Sequence, residues 1–251
     1  MILVIGGTSD GRMISAELAA RGARVLVSSA TPYGANLAKG SGIEVVYGRL
    51  DLDGLTELII SRGVRTLLDA SHPFATEVTK NAAGACERTG ARYIRYARPG
   101  GERANHPLVK WADSYEEAAE KAFETGQKVF LTTGSKTAGL FIKKAAQAGV
   151  RIILRVVPDP DAIGRLIEMG VSPSDIVAMS GPFSEELNFA LLKHFSPDVV
   201  VSKESGDAGG LGDKISAAVR LGLPTIIIRR PPEPAGAAKS VREAVEMALM
   251  D

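Results

Sequence analysis

Along this chain a short apolar run is followed by a stretch of helical periodicity, and the pair recurs, which is the pattern of parallel βαβ units. ILVIG (2–6), RVLVSS (24–29), IEVVYG (43–48), RTLLDAS (65–71) and RYIRYA (92–97) read as strands. Residues 11–21 place Ile14 and Leu18 four apart ahead of Gly22, a natural helix stop, and 76–89 is an alanine-rich helix candidate. The segment RPGGERANHP (98–107) has dense Pro, Gly and charge without an apolar period, so it reads as a linker. Alternation then resumes, with strands expected at 128–133, 151–157, 175–180, 198–203 and 224–229. Helices are expected near 137–148, 161–169, 184–194, 212–221 and 239–249.

The expected fold is α/β, with two Rossmann-like lobes, mainly parallel sheets and a cofactor/substrate cleft between them. The first lobe is expected over 1–98, the linker over 99–112 and the second lobe over 113–251. A chain of 251 residues is long enough for this. Lys and Arg total 30 against 29 Asp and Glu, so no bulk charge points to nucleic acid or an anionic membrane. The lone Cys86 gives no internal disulfide, and His72, His106 and His194 stand far apart, so no metal site is expected. No apolar run approaches the ~20 residues that span a bilayer, and the N-terminus lacks the pattern of a secretory signal; a cytoplasmic protein is expected.

In such sheets ligands gather where strands end. After the first strand, LVIGGTSDGR gives Gly6 and Gly11 the outer spacing of a dinucleotide fingerprint, with Thr8 in the middle place. A helix starting near Ser9 would offer its unpaired amides to an anion, beside the Thr8 and Ser9 hydroxyls and Arg12, whereas Asp10 would repel phosphate. The competing reading is a structural glycine turn with Ser9 as N-cap. The second strand ends at Ser28 and Ser29, where an NAD-specific domain usually carries an acid, so a 2′-phosphate meets less repulsion; these hydroxyls can equally make local turns. DASHPFA (69–75) delivers Ser71 and His72, the latter fixed by Pro73, as either a functional or a structural histidine.

TTGSK (132–136) resembles an anion nest through Thr133, Gly134, Ser135 and Lys136, without the spacing of a Walker loop; Ser135 as a plain helix cap is the alternative. In SKESGDAGGLGDK (202–214), Lys203 and Ser205 suit a phosphate or carboxylate and Glu204 suits ribose or amide groups, although the glycines would also make a mobile loop. RYIRYAR sets Arg92, Ile94, Tyr96 and Arg98 on one face and Tyr93, Arg95 and Ala97 on the other, cations and aromatics that suit a planar polyanion. Salt bridges on a solvated strand explain the arginines too.

Taken in order, IGGTSDGR, SSATPYG, DASHPFA, YIRYARP, LTTGSK, MSGPFSEELN and VSKESG resemble the precorrin-6A reductase family of cobalamin biosynthesis, including its cobalt-precorrin-6A branch, from about residue 2 to about residue 231. The resemblance implies a nicotinamide-dependent reduction of one double bond in a tetrapyrrole. It implies a cofactor site of Gly6, Gly7, Thr8, Ser9, Gly11, Arg12 and Ser29, with Thr133, Gly134, Ser135, Lys136, Lys203, Glu204 and Ser205 from the second lobe. Ser71, His72, Arg95 and Arg98 would meet the macrocycle, His72 positioning it rather than acting as acid. NADPH is the expected cofactor, NADH the alternative, and the substrate would be handed over by other enzymes of the same pathway.

A short-chain dehydrogenase or sugar epimerase would use a tyrosine with lysine four residues later, and none of Tyr33, Tyr47, Tyr93, Tyr96 or Tyr115 has one. A methyltransferase would want an acid after the second strand, where Ser28 and Ser29 stand. A non-catalytic NADP sensor would bind the nucleotide without its being oxidised by any tetrapyrrole.

Overall fold

The computed structural model describes residues 1–98, 105–206 and 209–250. In chain order its first elements are β1 (Ile2–Ile5), α1 (Ser9–Ala20), β2 (Val25–Ser29), α2 (Pro32–Ala38), β3 (Ile43–Tyr47), α3 (Leu52–Arg62), β4 (Thr66–Asp69), α4 (Thr76–Thr89) and β5 (Arg92–Arg95). There follow β6 (Val109–Ala112), α5 (Tyr115–Thr125), β7 (Lys128–Leu131), α6 (Ala138–Ala148), β8 (Arg151–Val156), α7 (Pro160–Glu168) and β9 (Ile176–Ala178). The last are α8 (Glu185–Phe195), β10 (Val199–Lys203), α9 (Leu211–Arg220), β11 (Thr225–Ile228) and α10 (Val241–Leu249). Contacts divide the chain into two units, Met1–Pro99 with Pro231–Asp251, and Gly100–Arg230.

The first unit holds a five-stranded sheet in the order β3-β2-β1-β4-β5, parallel throughout. Helices on both faces bury such strands on both sides, which is why they read as unbroken apolar runs. Leu3 and Ile5 of β1 pack with Leu55 and Ile59 of α3 and Ala82 and Ala85 of α4, while Ile2 and Val4 pack with Ile14 and Leu18 of α1 and with α10. Side chains of Thr8, Thr31 and Asp51 cap α1, α2 and α3, each accepting from the amide three residues on.

The second unit holds a six-stranded parallel sheet in the order β6-β11-β10-β7-β8-β9. Phe130, Ile153 and Val200 pack with Leu192 of α8 and Ala217 and Ala218 of α9. Strand order reverses between β1 and β4 in the first sheet and between β7 and β10 in the second. At such points neighbouring strands send their crossovers in opposite directions, and a crevice opens beyond their carboxyl ends.

Two boundaries differ from the sequence reading. Residues 231–250, expected in the second lobe, return to the first unit, where Ala244, Val245 and Ala248 of α10 lie on its core. Tyr96 and Ala238 form a parallel bridge, Ala97 N–H donates to the Ala238 carbonyl at 2.8 Å, and Ala238 N–H donates to that of Arg95 at 2.8 Å. Val109–Ala112, expected in the linker, pairs with β11 as an edge strand, while linker residues 99–104 lie outside the described residues. The sequence reading also assigns no helix to α2, α3 or α5. Alanine explains two of these: α2 buries only Ala35 and Ala38, and α5 only Ala118, Ala119 and Ala122, too faint an apolar stripe to read.

Candidate active site

The turn after β1 is built for close approach. Gly6 N–H donates to the Ser28 carbonyl at 2.8 Å, and a Cβ on Gly6 would sit 2.8 Å from Val27 Cγ1. Gly7 takes φ +101°, a left-handed conformation, with nothing within 4 Å of where its Cβ would be. Thr8, not Ser9, is the N-cap: its Oγ1 accepts from Gly11 N–H at 3.0 Å and donates to the Ala70 carbonyl at 2.9 Å, clipping α1 to the end of β4. A Cβ on Gly11 would meet Thr8 Oγ1 at 3.3 Å, Gly6 Cα at 3.4 Å and Ala70 Cβ at 3.5 Å, so helix, turn and β4 close on one another there. The Thr8 hydroxyl, expected on a ligand, is thus used inside the fold. Of the first-turn amides, those of Gly11 and Arg12 bond to Thr8, leaving those of Ser9 and Asp10 to face an anion.

Asp10, whose charge opposed phosphate in the sequence reading, has its Oδ2 2.6 Å from Arg98 Nε, with both side chains nearly buried. The pair neutralises the carboxylate and holds Arg98, which the sequence reading expected on the substrate. Arg95 and Ser71, also expected on the substrate, are likewise engaged within the fold. Arg95 is 3 % exposed; its Nη1 lies 3.1 Å from both Asp69 Oδ1 and Ser71 Oγ, and its Nε and Nη2 bond to Glu233 Oε2 and Oε1 at 2.8 and 3.2 Å. Ser71 N–H donates to Asp69 Oδ1 at 3.0 Å, and the Tyr93 hydroxyl donates to Asp69 Oδ2 at 3.0 Å. Burial, reinforced by Asp69, pushes the Tyr93 hydroxyl well above its ordinary range. The network faces inward because β4 and β5 pair Asp69 with Arg95 in register and the returning segment supplies Glu233.

His72 follows that network and precedes α4. Its Nδ1 accepts from Phe74 N–H at 3.2 Å, its carbonyl accepts from Ala75 N–H at 2.8 Å, and its ring lies 5.8 Å from that of Phe74. Acceptance at Nδ1 selects the neutral tautomer with its proton on Nε2. Ser29 is buried at the end of β2, its Oγ 3.4 Å from the Thr31 carbonyl, and its own carbonyl accepts from Gly48 N–H at 3.0 Å. That last bond brings Arg49, absent from the sequence reading, to the end of β2. Arg49 is exposed and makes no ion pair among the described residues. Its signal is sheet order, since only the pairing of β3 with β2 sets it there.

At the second reversal, Thr132 gives both its amide and its hydroxyl to the Val201 carbonyl, at 2.9 and 3.1 Å, tying the loop after β7 to β10. Thr133 is buried against Thr137, their hydroxyls 3.2 Å apart, and Gly134 takes φ +83°. Ser135 opens a 3-10 turn, Ser135–Thr137, without a side-chain cap bond, and Lys136 is exposed. After β10, Glu204 is buried with Oε2 accepting from Arg230 N–H at 3.1 Å. Ser205 packs so closely that a Cβ on Gly209 would lie 2.3 Å from its Cβ and Oγ. Asp207 and Ala208 of this loop lie outside the described residues. Burial, then Lys136, pushes the Lys203 ammonium down to about 8. Two further cations missed by the sequence reading stand near these loops, Arg155 in β8 and Lys214 in α9. An arginine interrupting the apolar run RIILRVV was the available signal for the first. Among the described residues no group of three or more His, Cys, Asp or Glu could hold a metal ion, and no helix is long and apolar enough to cross a membrane.

Residues 1–248 match the family described as precorrin-6x reductase CbiJ/CobK. The chain is 37% identical over 252 residues to the cobalt-precorrin-6A reductase of Priestia megaterium, covering 100% of this chain and 98% of that protein. It is 38% identical to the cobalt-precorrin-6A reductase of Salmonella typhimurium, covering 92% and 87% of the two chains. To the precorrin-6A reductase of Mycobacterium tuberculosis it is 32% identical, covering 94% and 91%. A solved structure of CobK precorrin-6A reductase superposes with a TM-score of 0.79 at 26% identity, covering 98% of this chain and 95% of that one. With this match spanning nearly its whole length, the chain belongs to the precorrin-6x reductase family.

Proposed function

We propose that this protein reduces one double bond of the precorrin-6A macrocycle, in its metal-free or cobalt-bound form, with a nicotinamide nucleotide as reductant, in cobalamin biosynthesis. The observation that carries the reading is the turn after β1, set at a strand-order reversal. Gly6 has no room for a Cβ, Gly7 is left-handed, and the Ser9 and Asp10 amides begin a helix there. These features fit a pyrophosphate. Gly6, Gly7 and Gly11 admit it, the two amides and the Arg12 guanidinium hold it, and the Asp10 charge, turned onto Arg98, does not oppose it.

NADPH is the preferred nucleotide. The end of β2 presents hydroxyls where a discriminating carboxylate would stand, and Arg49 beside it suits a 2′-phosphate. The bound nicotinamide supplies the hydride; the chain's own residues supply position and a proton route. His72 donates from Nε2 to the macrocycle and orients it, and the proton comes from water. Thr133, Gly134, Ser135 and Lys136, with Lys203, Glu204 and Ser205, form the ligand-binding loops of the second unit.

Anaerobic incubation with metal-free and cobalt-bound precorrin-6A, each with NADPH and with NADH, tests the reading by mass and absorbance. The expected result is a tetrapyrrole gaining two hydrogens as the nucleotide is oxidised, with the higher kcat/KM for NADPH. Nucleotide binding without oxidation by either tetrapyrrole would reject catalysis and favour the sensor. A higher kcat/KM with NADH would reject the role of Arg49.

A further inference from the structure

We propose that Arg155, Lys214 and Lys203 form an oxyanion-binding site in the second unit, which takes a carboxylate from the rim of the macrocycle or a phosphate of the nucleotide. The identity of these ligands rests on the reductase reading; the site itself rests on side chains that the fold's own stability does not explain.

Arg155 is 6 % exposed, yet its partners among the described residues are neutral: Nη1 donates to Asn188 Oδ1 at 2.7 Å, and the guanidinium lies 4.4 Å from the centroid of the Phe183 ring. Asn188 is itself fixed, its Nδ2 donating to the carbonyls of Phe183 and Ser184 at 3.2 and 2.8 Å. Lys214 is half-buried with Nζ donating to the Gly209 carbonyl at 2.9 Å. Neither cation bonds to a carboxylate among the described residues. A buried charge without a counterion is strongly unfavourable, so a fold that buries the Arg155 guanidinium and half-buries the Lys214 ammonium leaves them to be neutralised by something else.

Ser202 supplies an independent observation. It is 0 % exposed, and its Oγ has no hydrogen-bond partner among the described residues. Alternate residues of a strand share a face. Ser202 follows Val200 and Arg155 follows Ile153 by two positions, and Val200 and Ile153 both pack with Phe130 against α8 and α9. The orphan hydroxyl and the unpaired guanidinium therefore project from the same face at the carboxyl ends of β10 and β8. The start of α9 lies on that side too, since a Cβ on Gly210 would be 3.7 Å from both the Phe183 carbonyl and Pro182 Cβ. Lys214 stands one turn into that helix.

Burial, then Arg155 and Lys203, pushes the Lys214 ammonium down to about 7. Among the described residues, the charged groups that lower the Lys214 and Lys203 ammonium groups are Arg155 from β8 and Lys203 from the end of β10, acting on Lys214, and Lys136 after β7, acting on Lys203. An anion seated among these cations reverses their mutual repulsion, so its binding above neutral pH is accompanied by proton uptake at Lys214.

The test is calorimetric binding of three probes to the whole protein and to Arg155→Met, Arg155→Lys and Lys214→Met: inorganic pyrophosphate, NADPH, and uroporphyrin as a non-reacting octacarboxylate. The Met variants should weaken at least one probe about tenfold or more, the loss expected for a charge-assisted hydrogen bond, at an unchanged or higher melting temperature. Arg155→Lys should keep part of the affinity. At about pH 8, one unit above the Lys214 value, the wild type should take up a proton that Lys214→Met does not. Loss confined to NADPH assigns the site to the nucleotide, and loss for uroporphyrin assigns it to the substrate's carboxylates. Variants that bind all three probes like the wild type, a wild type that binds none, or an Arg155→Met that unfolds while Lys214→Met binds normally would each overturn the site. A reductase that turns over normally with unaltered variants removes the site alone; pyrophosphate binding lost in the variants of a protein without turnover removes the reductase reading alone.

Discussion

Thr8 shows how one hydroxyl is divided between structure and site. It holds the Gly11 amide and the Ala70 carbonyl at once, so Thr8→Val frees α1 from β4. Denaturant unfolding should show a loss of about 1–2 kcal/mol for the lost cap, with weaker NADPH binding. Gly11→Leu should compromise the fold rather than binding alone, because its side chain would enter the contact with Gly6 and Ala70. His72→Ala should raise KM for the macrocycle and lower kcat by less than about tenfold, with His72→Asn milder still. A fall in kcat of about 10² to 10⁴ at constant KM, measured on a folded variant, would make the imidazole the acid. For Lys214 the sign of the pH effect is set by its lowered value. Between about 7 and the ordinary 10.5, the unfolded chain carries a proton that the folded chain lacks, so stability rises with pH across that window. Below it both states are protonated and the cost of the buried charge is constant. Unfolding free energy measured against pH should therefore climb less in Lys214→Met than in the wild type.

At the scale of elements, β4, β5 and the segment returning before α10 are joined by Asp69, Arg95 and Glu233 as much as by their backbone bonds. Removing one partner leaves buried charge behind. Arg95→Met should cost about 3–5 kcal/mol, the usual range for breaking a buried pair. Glu233→Gln should cost less, since Glu233 is the more exposed partner and its amide can still accept from the guanidinium. Thermal unfolding measures both. An Arg95→Met protein as stable as the wild type, with KM for the macrocycle raised, would restore Arg95 to the substrate. The same layer explains Cys86, whose thiol is pushed up to about 11 by burial and then by Asp69, which makes it a packing residue rather than a nucleophile.

At the scale of the molecule, the first unit is discontinuous. A fragment of residues 1–98 lacks Glu233, the Ala238 bridge and α10, so it exposes the face that holds Val4, Ile14 and Leu18. It should aggregate or remain partly unfolded. The same fragment joined through a flexible linker to residues 231–250 should melt cooperatively and bind NADPH. Circular dichroism and nucleotide titration of the two fragments decide this, and cooperative folding of 1–98 alone would show that α10 is dispensable.

The strands, their parallel pairing and the glycine turn were legible because each is written in a few adjacent residues: an apolar run buried on both faces, and glycines that follow it directly into a helix. Charge partners were not, because a guanidinium in a sequence carries no record of the carboxylate it will meet. Arg95 and Arg98 looked available for a polyanion until Glu233 and Asp10, distant in the chain, were brought against them. Arg49 and Lys214 became visible only once the fold had set their neighbours, and Arg155 carried no more than its interruption of an apolar run. Local chemistry along the chain specifies the elements and the loops that end them, whereas burial and long-range pairing settle which of the charges in those loops are left for a ligand.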